Sequence, residues 1–273
     1  MLNNSKQFSG SWAIILGGSS GIGFASVEKL ARHGMNIAVL YREAASAERL
    51  VKEKFSSLAA NYGVDISPFN LNALDESART AFIEQFCAGG SKAHAVKLML
   101  HSIARGNLKP LVLSGTEPGP GIGELSADDI RLTSYAMSGS LLDWTRAILK
   151  AGLFQPDARI IGLTSEGSHK YWEGYGAVSI AKASLESLAT YMAVEFSKYG
   201  IRTNLIQAGI TETPSLKRIP GSDELLKMAT GRNPLGRMTK PGDVANVVYL
   251  LCTDEASWIN GAVIHVDGGE HCR

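Results

Sequence analysis

Seven short apolar runs alternating with amphipathic stretches constrain this chain more than any other feature. Trp12–Leu16, Ile37–Tyr41, Ile66–Leu71, Val96–Leu100, Arg159–Leu163, Arg202–Ile206 and Ala262–Val266 read as buried strands. Helical patterns lie between them near 20–33, 43–61, 75–87, 126–150, 176–198 and 243–252. Strand–helix alternation of this kind builds a parallel α/β sheet with helices on both faces. Connections stay short except at 104–124 and 212–240. Both follow C-terminal strand ends, where open α/β sheets bind ligands, and long loops in a compact domain are usually functional or mobile. No linker or repeat interrupts residues 11–273, so one domain is expected, preceded by a disordered tail over residues 1–10.

Composition narrows the function. The net charge of +1, without a long basic stripe, leaves no electrostatic footprint for nucleic acid. No apolar run approaches the roughly 18 residues of a membrane span, and the polar start lacks the core of a signal peptide. Cys87, Cys252 and Cys272 have no metal-ligand spacing, and the histidines include no pair at helical ligand spacing, so no metal is expected. Reduced thiols in a cytoplasmic protein are the simplest reading of the cysteines.

The first strand runs directly into Gly17-Gly18-Ser19-Ser20-Gly21-Ile22-Gly23 and then a helix. Glycines there permit a tight turn and let backbone approach a pyrophosphate at the helix N-terminus, although a plain strand-to-helix turn can look the same. The second strand ends at Tyr41, followed by Arg42 and Glu43. An arginine at this place suits the 2′-phosphate of NADPH, unless it is only a solvated surface charge; NADH remains the alternative cofactor.

The loop resembles the Thr-Gly-x-x-x-Gly-x-Gly turn of the short-chain dehydrogenase/reductase family, with Leu16 in place of the threonine. Most of that family carries Tyr-x-x-x-Lys with a serine seventeen residues before the lysine. Here Lys182 and Ser165 hold those places, but Val178 occupies the ordinary tyrosine site, and a tyrosine stands three residues earlier, at Tyr175. Seven steps of about 100° return to within roughly 20° of the starting direction, so Tyr175 and Lys182 share a helix face.

Tyr-x6-Lys is the spacing of the enoyl-acyl-carrier-protein reductase branch. It has a chemical reason. Carbonyl reduction delivers hydride to the carbon bearing the oxygen, whereas enoyl-thioester reduction delivers it to the β-carbon while charge grows on an oxygen two carbons away. The donor to that oxygen must move outward, by a distance comparable with the roughly 4.5 Å rise of three helical residues. His101-Ser102-Ile103-Ala104, Ser134-Tyr135 and the tract Gly167–Tyr175 resemble the same branch, the last looking like the NADPH-dependent enoyl reductase of some bacilli. The branch's further tyrosine, about ten residues before the catalytic one, is absent: Ser165 stands there, with Glu166 beside it. Tyr171 is a substitute or a packing residue.

The resemblance implies a doubly wound, Rossmann-like three-layer sandwich with a parallel sheet of about seven strands. It implies catalytic roles for Tyr175 and Lys182, and for Ser165 in substrate orientation. The cofactor would touch Gly17, Ser19, Ser20, Gly21, Ile22, Gly23, Arg42, Asn70, Leu71, His101, Ser102, Ile103, Lys182, Gly209, Thr211 and Thr213. The substrate would be an enoyl thioester, carried on an acyl carrier protein or coenzyme A, in fatty-acid synthesis. A carbonyl or alcohol oxidoreductase, or a non-catalytic NADP(H) sensor, are the competing readings; the sensor would need neither Tyr175 nor Lys182.

Three structural expectations complete the picture. Residues 214–232 form a mobile lid. Lys217, Arg218, Lys227, Arg232, Arg237 and Lys240, against Asp223 and Glu224, form either a basic rim for an acidic carrier protein or an ordinary charged face. Leu185, Leu188, Ala189, Met192 and Phe196 face either a partner helix in a homotetramer or the protein's own core.

Overall fold

The computed structural model describes residues 6–88, 95–113, 123–213, 216, 226 and 229–273. All seven expected strands form: β1 (Trp12–Leu16), β2 (Asn36–Tyr41), β3 (Ile66–Asn70), β4 (Val96–His101), β5 (Phe154–Ser165), β6 (Ile201–Ala208) and β7 (Val263–Val266). They make one parallel sheet of order β3-β2-β1-β4-β5-β6-β7. This is the doubly wound Rossmann-like fold. The chain leaves β1 in one direction and reaches β4 in the other, which opens a crevice at the C-terminal ends of β1 and β4.

Helices α1 (Gly21–Arg32), α2 (Ala45–Tyr62), α3 (Glu76–Ala88), α4 (Ala127–Ser134), α5 (Ser140–Lys150), α6 (Gly176–Glu195) and α7 (Pro241–Cys252) cover the two faces. Strand alternation divides the core between them. Trp12, Ile14 and Leu16 of β1 join Phe82, Trp144 and Leu185 on one side. Ala13 and Ile15 join Val27, Leu30 and Val248 on the other.

Two expectations change at this level, and one open alternative resolves. Residues 6–10 are no disordered tail. Phe8 is buried in the second core cluster, its N–H donates to His33 O at 3.1 Å, and its ring meets Tyr249 edge-on. One apolar side chain in a polar decapeptide suffices to pin that stretch. The helix expected over 126–150 is interrupted by a π-turn at Tyr135–Gly139. Such turns are often found at functional sites and leave little periodic signal in sequence. Of the residues offered for a partner helix, Leu185, Ala189, Met192 and Phe196 are buried and Leu188 packs against the same core. The exposed apolar side chains of α6 are Ile180, Tyr191 and Val194.

Candidate active site

Above the crevice lies a cleft of about 550 Å³, lined by Gly17, Ser19, Ser20, Arg42, Glu43, Leu71, Ser102, Ile103, Leu108, Met137, Tyr175 and Val178 among others. The glycine-rich loop forms its floor. Gly17 has φ +85°, and a side chain there would collide with the Ser102 carbonyl of β4's continuation. Gly23 faces the Gly17 carbonyl just as closely. The loop therefore folds flat across the sheet edge only with glycines at these two places.

Helix α1 begins without a capping side chain and without an acidic residue in its first turn. Among the described residues, the N–H groups of Gly21, Ile22 and Gly23 have no acceptor; the first bond of the helix is Phe24 N to Ser20 O. Unpaired N–H groups on a positive helix end are what a pyrophosphate requires. Thr213, after β6, closes on the loop: a Cβ at Gly21 would lie 3.2 Å from its Cγ2. The residues present therefore fit a dinucleotide.

The turn after β2 borders one end of the cleft. Asn70 clasps that turn, accepting from Glu43 N and donating to Glu43 O, both at 3.0 Å. Its side chain is thus committed to the backbone, while Leu71 lines the cleft. Arg42 is exposed and, among the described residues, pairs with no carboxylate. Glu43, beside Arg42, has a partner in the phosphate loop: Ser19 Oγ donates to its carboxylate at 2.8 Å. One cation and one anion therefore stand side by side at this end of the cleft.

Tyr175 stands at the N-cap of α6, its carbonyl accepting the helix's first bond from Ser179 N at 2.8 Å. Its ring lies against Gly167 and belongs to an apolar group with Met137, Val178, Ala181 and Leu108. Burial pushes the phenol pKa up, and the Ser165 hydroxyl beside it works the other way. Ser165 Oγ also accepts from Gly167 N at 3.2 Å, fixing the turn that leaves β5. Val178, at the ordinary acid position, presents only methyl groups to the cleft.

Lys182 is buried beneath, donating from Nζ to Leu163 O at 2.7 Å. Burial lowers its pKa to about 8, against the pull of Glu186 one turn further along α6. Glu186 in turn accepts from Thr164 Oγ1 at 2.6 Å. Sequence reading passed over Glu186, although four-residue spacing from a lysine was the available signal.

His101 does not line the cleft. It is buried against Ser140, with Nε2 and Oγ 2.7 Å apart, and burial with the nearby Lys182 charge drives its pKa to about 3. Its ring is thus neutral and turned toward Ser140, at the end of the π-turn, and away from the cleft. Thr211 likewise turns inward, its hydroxyl donating to Gly209 O at 2.8 Å. Gly209 packs against Glu270 and Thr239.

Opposite the phosphate loop, the segment after Ile103 is anchored by Asp129 of α4. Its carboxylate takes Asn107 at 2.5 Å, Lys109 at 2.8 Å and the N-terminal Ser126 of its own capping box. Lys109 and these capping contacts hold the Asp129 pKa down to about 2. A helix cap thus positions Leu108 on the cleft wall.

The expected lid falls largely outside the described residues, as do Lys217, Arg218, Asp223, Glu224 and Lys227 of the basic rim. The described rim arginines serve the protein itself: Arg237 forms a fork to Asp243 at 2.6 and 3.0 Å, and Arg232 pairs with Glu166 and Glu270.

A helix end with open N–H groups among the described residues, a crevice at the sheet's switch point, and a tyrosine and a lysine on α6 together define the architecture of a dinucleotide-dependent oxidoreductase. The family described as enoyl-(acyl carrier protein) reductase matches residues 17–271, and the chain belongs to it, within the short-chain dehydrogenases/reductases. It is 28% identical to an NADH-dependent enoyl-[acyl-carrier-protein] reductase of Aquifex aeolicus, over 92% of this chain and 86% of that one. A galactitol 2-dehydrogenase of Rhizobium johnstonii is 25% identical over 97% of both chains. The Bacillus cereus enoyl-acyl carrier protein reductase, solved with NADP+ and an indole naphthyridinone, superposes with a TM-score of 0.82 at 26% identity, covering 98% of each chain.

Proposed function

We propose that this protein is an NAD(P)H-dependent reductase of trans-2-enoyl thioesters in fatty-acid synthesis. The observation that carries the reading is the exchange of places along α6. Tyr175 borders the cleft beside the phosphate loop, while the ordinary acid position is filled by Val178. A reduced nicotinamide cofactor supplies the hydride in such a reaction. Tyr175 donates a hydrogen bond to the thioester oxygen as enolate charge develops, and its low-dielectric surroundings strengthen that bond. Lys182 places a cation behind the tyrosine and would hold the nicotinamide ribose. The methyl surface of Val178, with Met137 and Leu108, accepts the apolar acyl group and leaves a carbonyl no second donor there.

Arg42 favours NADPH, with NADH as the alternative. An acyl carrier protein is the proposed carrier, its steering assigned to Lys217, Arg218, Lys227 and Lys240 of the 214–240 rim, since Arg232 and Arg237 are held by carboxylates. The exposed Tyr191 and Val194 on α6, with Trp258 and Val263 near the edge strand β7, support a homotetramer. Ser165 beside Tyr175 favours a second reading, a carbonyl or alcohol oxidoreductase. NADPH oxidation at 340 nm with a crotonyl thioester, against a panel of ketones and polyols, separates the two. Turnover confined to ketones or polyols would reject the enoyl assignment.

A further inference from the structure

Strands β5 and β6 are paired up to the rung Ser165–Ala208. Beyond it the chains part: one turns through Glu166–Ser168 toward Tyr175, the other runs through Gly209 toward Thr211 and Thr213. Both halves of the site hang from these diverging ends, yet sheet hydrogen bonds no longer join them.

An ion network crosses the gap. Glu166, the residue after Ser165, pairs with Arg232, and Lys170 Nζ reaches its other oxygen at 3.0 Å. Arg232 uses the same terminal nitrogen for Glu270 at 3.3 Å. Glu270 is 2% exposed, accepts from Ile210 N at 3.2 Å and packs on Gly209, where a Cβ would lie 2.7 Å from its Oε2. Burial raises the Glu270 pKa, Arg232 opposes that rise, and Glu166 and Asp267 add to it. A carboxylate so enclosed needs its cation, because removing one partner of a buried pair leaves an uncompensated charge.

We propose that Arg232 is a positioning residue of this site. It continues the β5–β6 junction past its last rung, holding the Ser165–Gly167 turn against Tyr175 and fixing the Gly209–Ile210 segment that leads to Thr213 beside the phosphate loop. The inference rests on the reading above only in assigning both segments to one dinucleotide site. The tie itself is independent of the substrate.

The test uses the full chain and needs no enoyl substrate. Amide hydrogen exchange is measured for wild type, Arg232→Ala and Arg232→Lys, with NADPH affinity read by fluorescence. In Arg232→Ala, the amides of Gly167 and Ile210 should both exchange at least about tenfold faster, while Leu205, deep in β6, keeps its protection. NADPH should bind about tenfold more weakly, and Arg232→Lys should recover most of the loss. Wild-type exchange at either amide in the alanine variant overturns the proposal. So does faster exchange at Leu205 in both variants, which would make Arg232 a general stabilising residue. Absence of enoyl turnover in the wild type would reject the enoyl reading and leave this result intact.

Discussion

The ring of Tyr175 rests on Gly167, where a Cβ would stand 2.6 Å from Tyr175 Cε1. The proposed donor is thus set by a residue with no side chain. Gly167→Ala must push the ring or the turn aside, a cost of about 1–3 kcal/mol for overpacking. Turnover should fall while NADPH affinity stays near wild type. Tyr175→Phe keeps the ring in place and should lower enoyl turnover by roughly 10²–10³, the loss typical of one such donor. Near-wild-type turnover in Tyr175→Phe would remove the acid from the mechanism.

Opposite charges at Arg42 and Glu43 make cofactor choice a balance. Arg42→Ala should weaken NADPH binding by about 1.5–3 kcal/mol, the range for hydrogen bonds to charged groups, and leave NADH nearly unchanged. Glu43→Gln should act the other way, raising NADPH affinity severalfold relative to NADH. Equal losses for both cofactors in Arg42→Ala would show that this side chain does not read the phosphate.

Lys182 ties stability to pH. Its pKa falls from 10.5 to about 8 on burial, so between those values the unfolded chain binds more protons than the native one. Stability from this group therefore rises as pH climbs from about 8 to 10.5. Lys182→Met should remove that slope and stabilise the protein at pH 7, by up to about 3 kcal/mol at 1.36 kcal/mol per unit. Enoyl turnover should nonetheless collapse. Urea denaturation at pH 7 and pH 10 provides the check, and a less stable methionine variant at pH 7 would contradict it.

His101 gives a slope of the same sign at acid pH. Its pKa is pushed from 6.5 to about 3, so the native protein binds fewer protons in that window and loses stability as pH falls through it. His101→Asn should flatten the acid side of the stability profile. An unchanged profile would place the acid sensitivity elsewhere.

Periodicity located all seven strands to within a few residues, and Gly17–Gly23 and Tyr175–Lys182 were legible because each is a local pattern read along one element. Contacts between distant segments were not. Asn70 was expected to touch the cofactor, and nothing local in the sequence shows that its amide grips Glu43, 27 residues away. Arg232 counted as a rim cation, for a carrier protein or as ordinary solvated charge, yet its carboxylates lie on the turn after β5 and after β7, 66 and 38 residues away. The π-turn escaped because one extra residue per turn barely disturbs an apolar stripe.

The open N-terminus of α1 has a price in folding. Three N–H groups unpaired among the described residues, and a serine that does not cap, are tolerated where an aspartate would secure the helix by about 0.5–2 kcal/mol. Ser20→Asp should raise the melting temperature of the cofactor-free protein and abolish its dinucleotide affinity, since the new carboxylate would occupy the anion's place. Selection for robustness and selection for cofactor binding thus pull on this one position in opposite directions. A chain of this family freed from binding a nucleotide would be expected to drift there first.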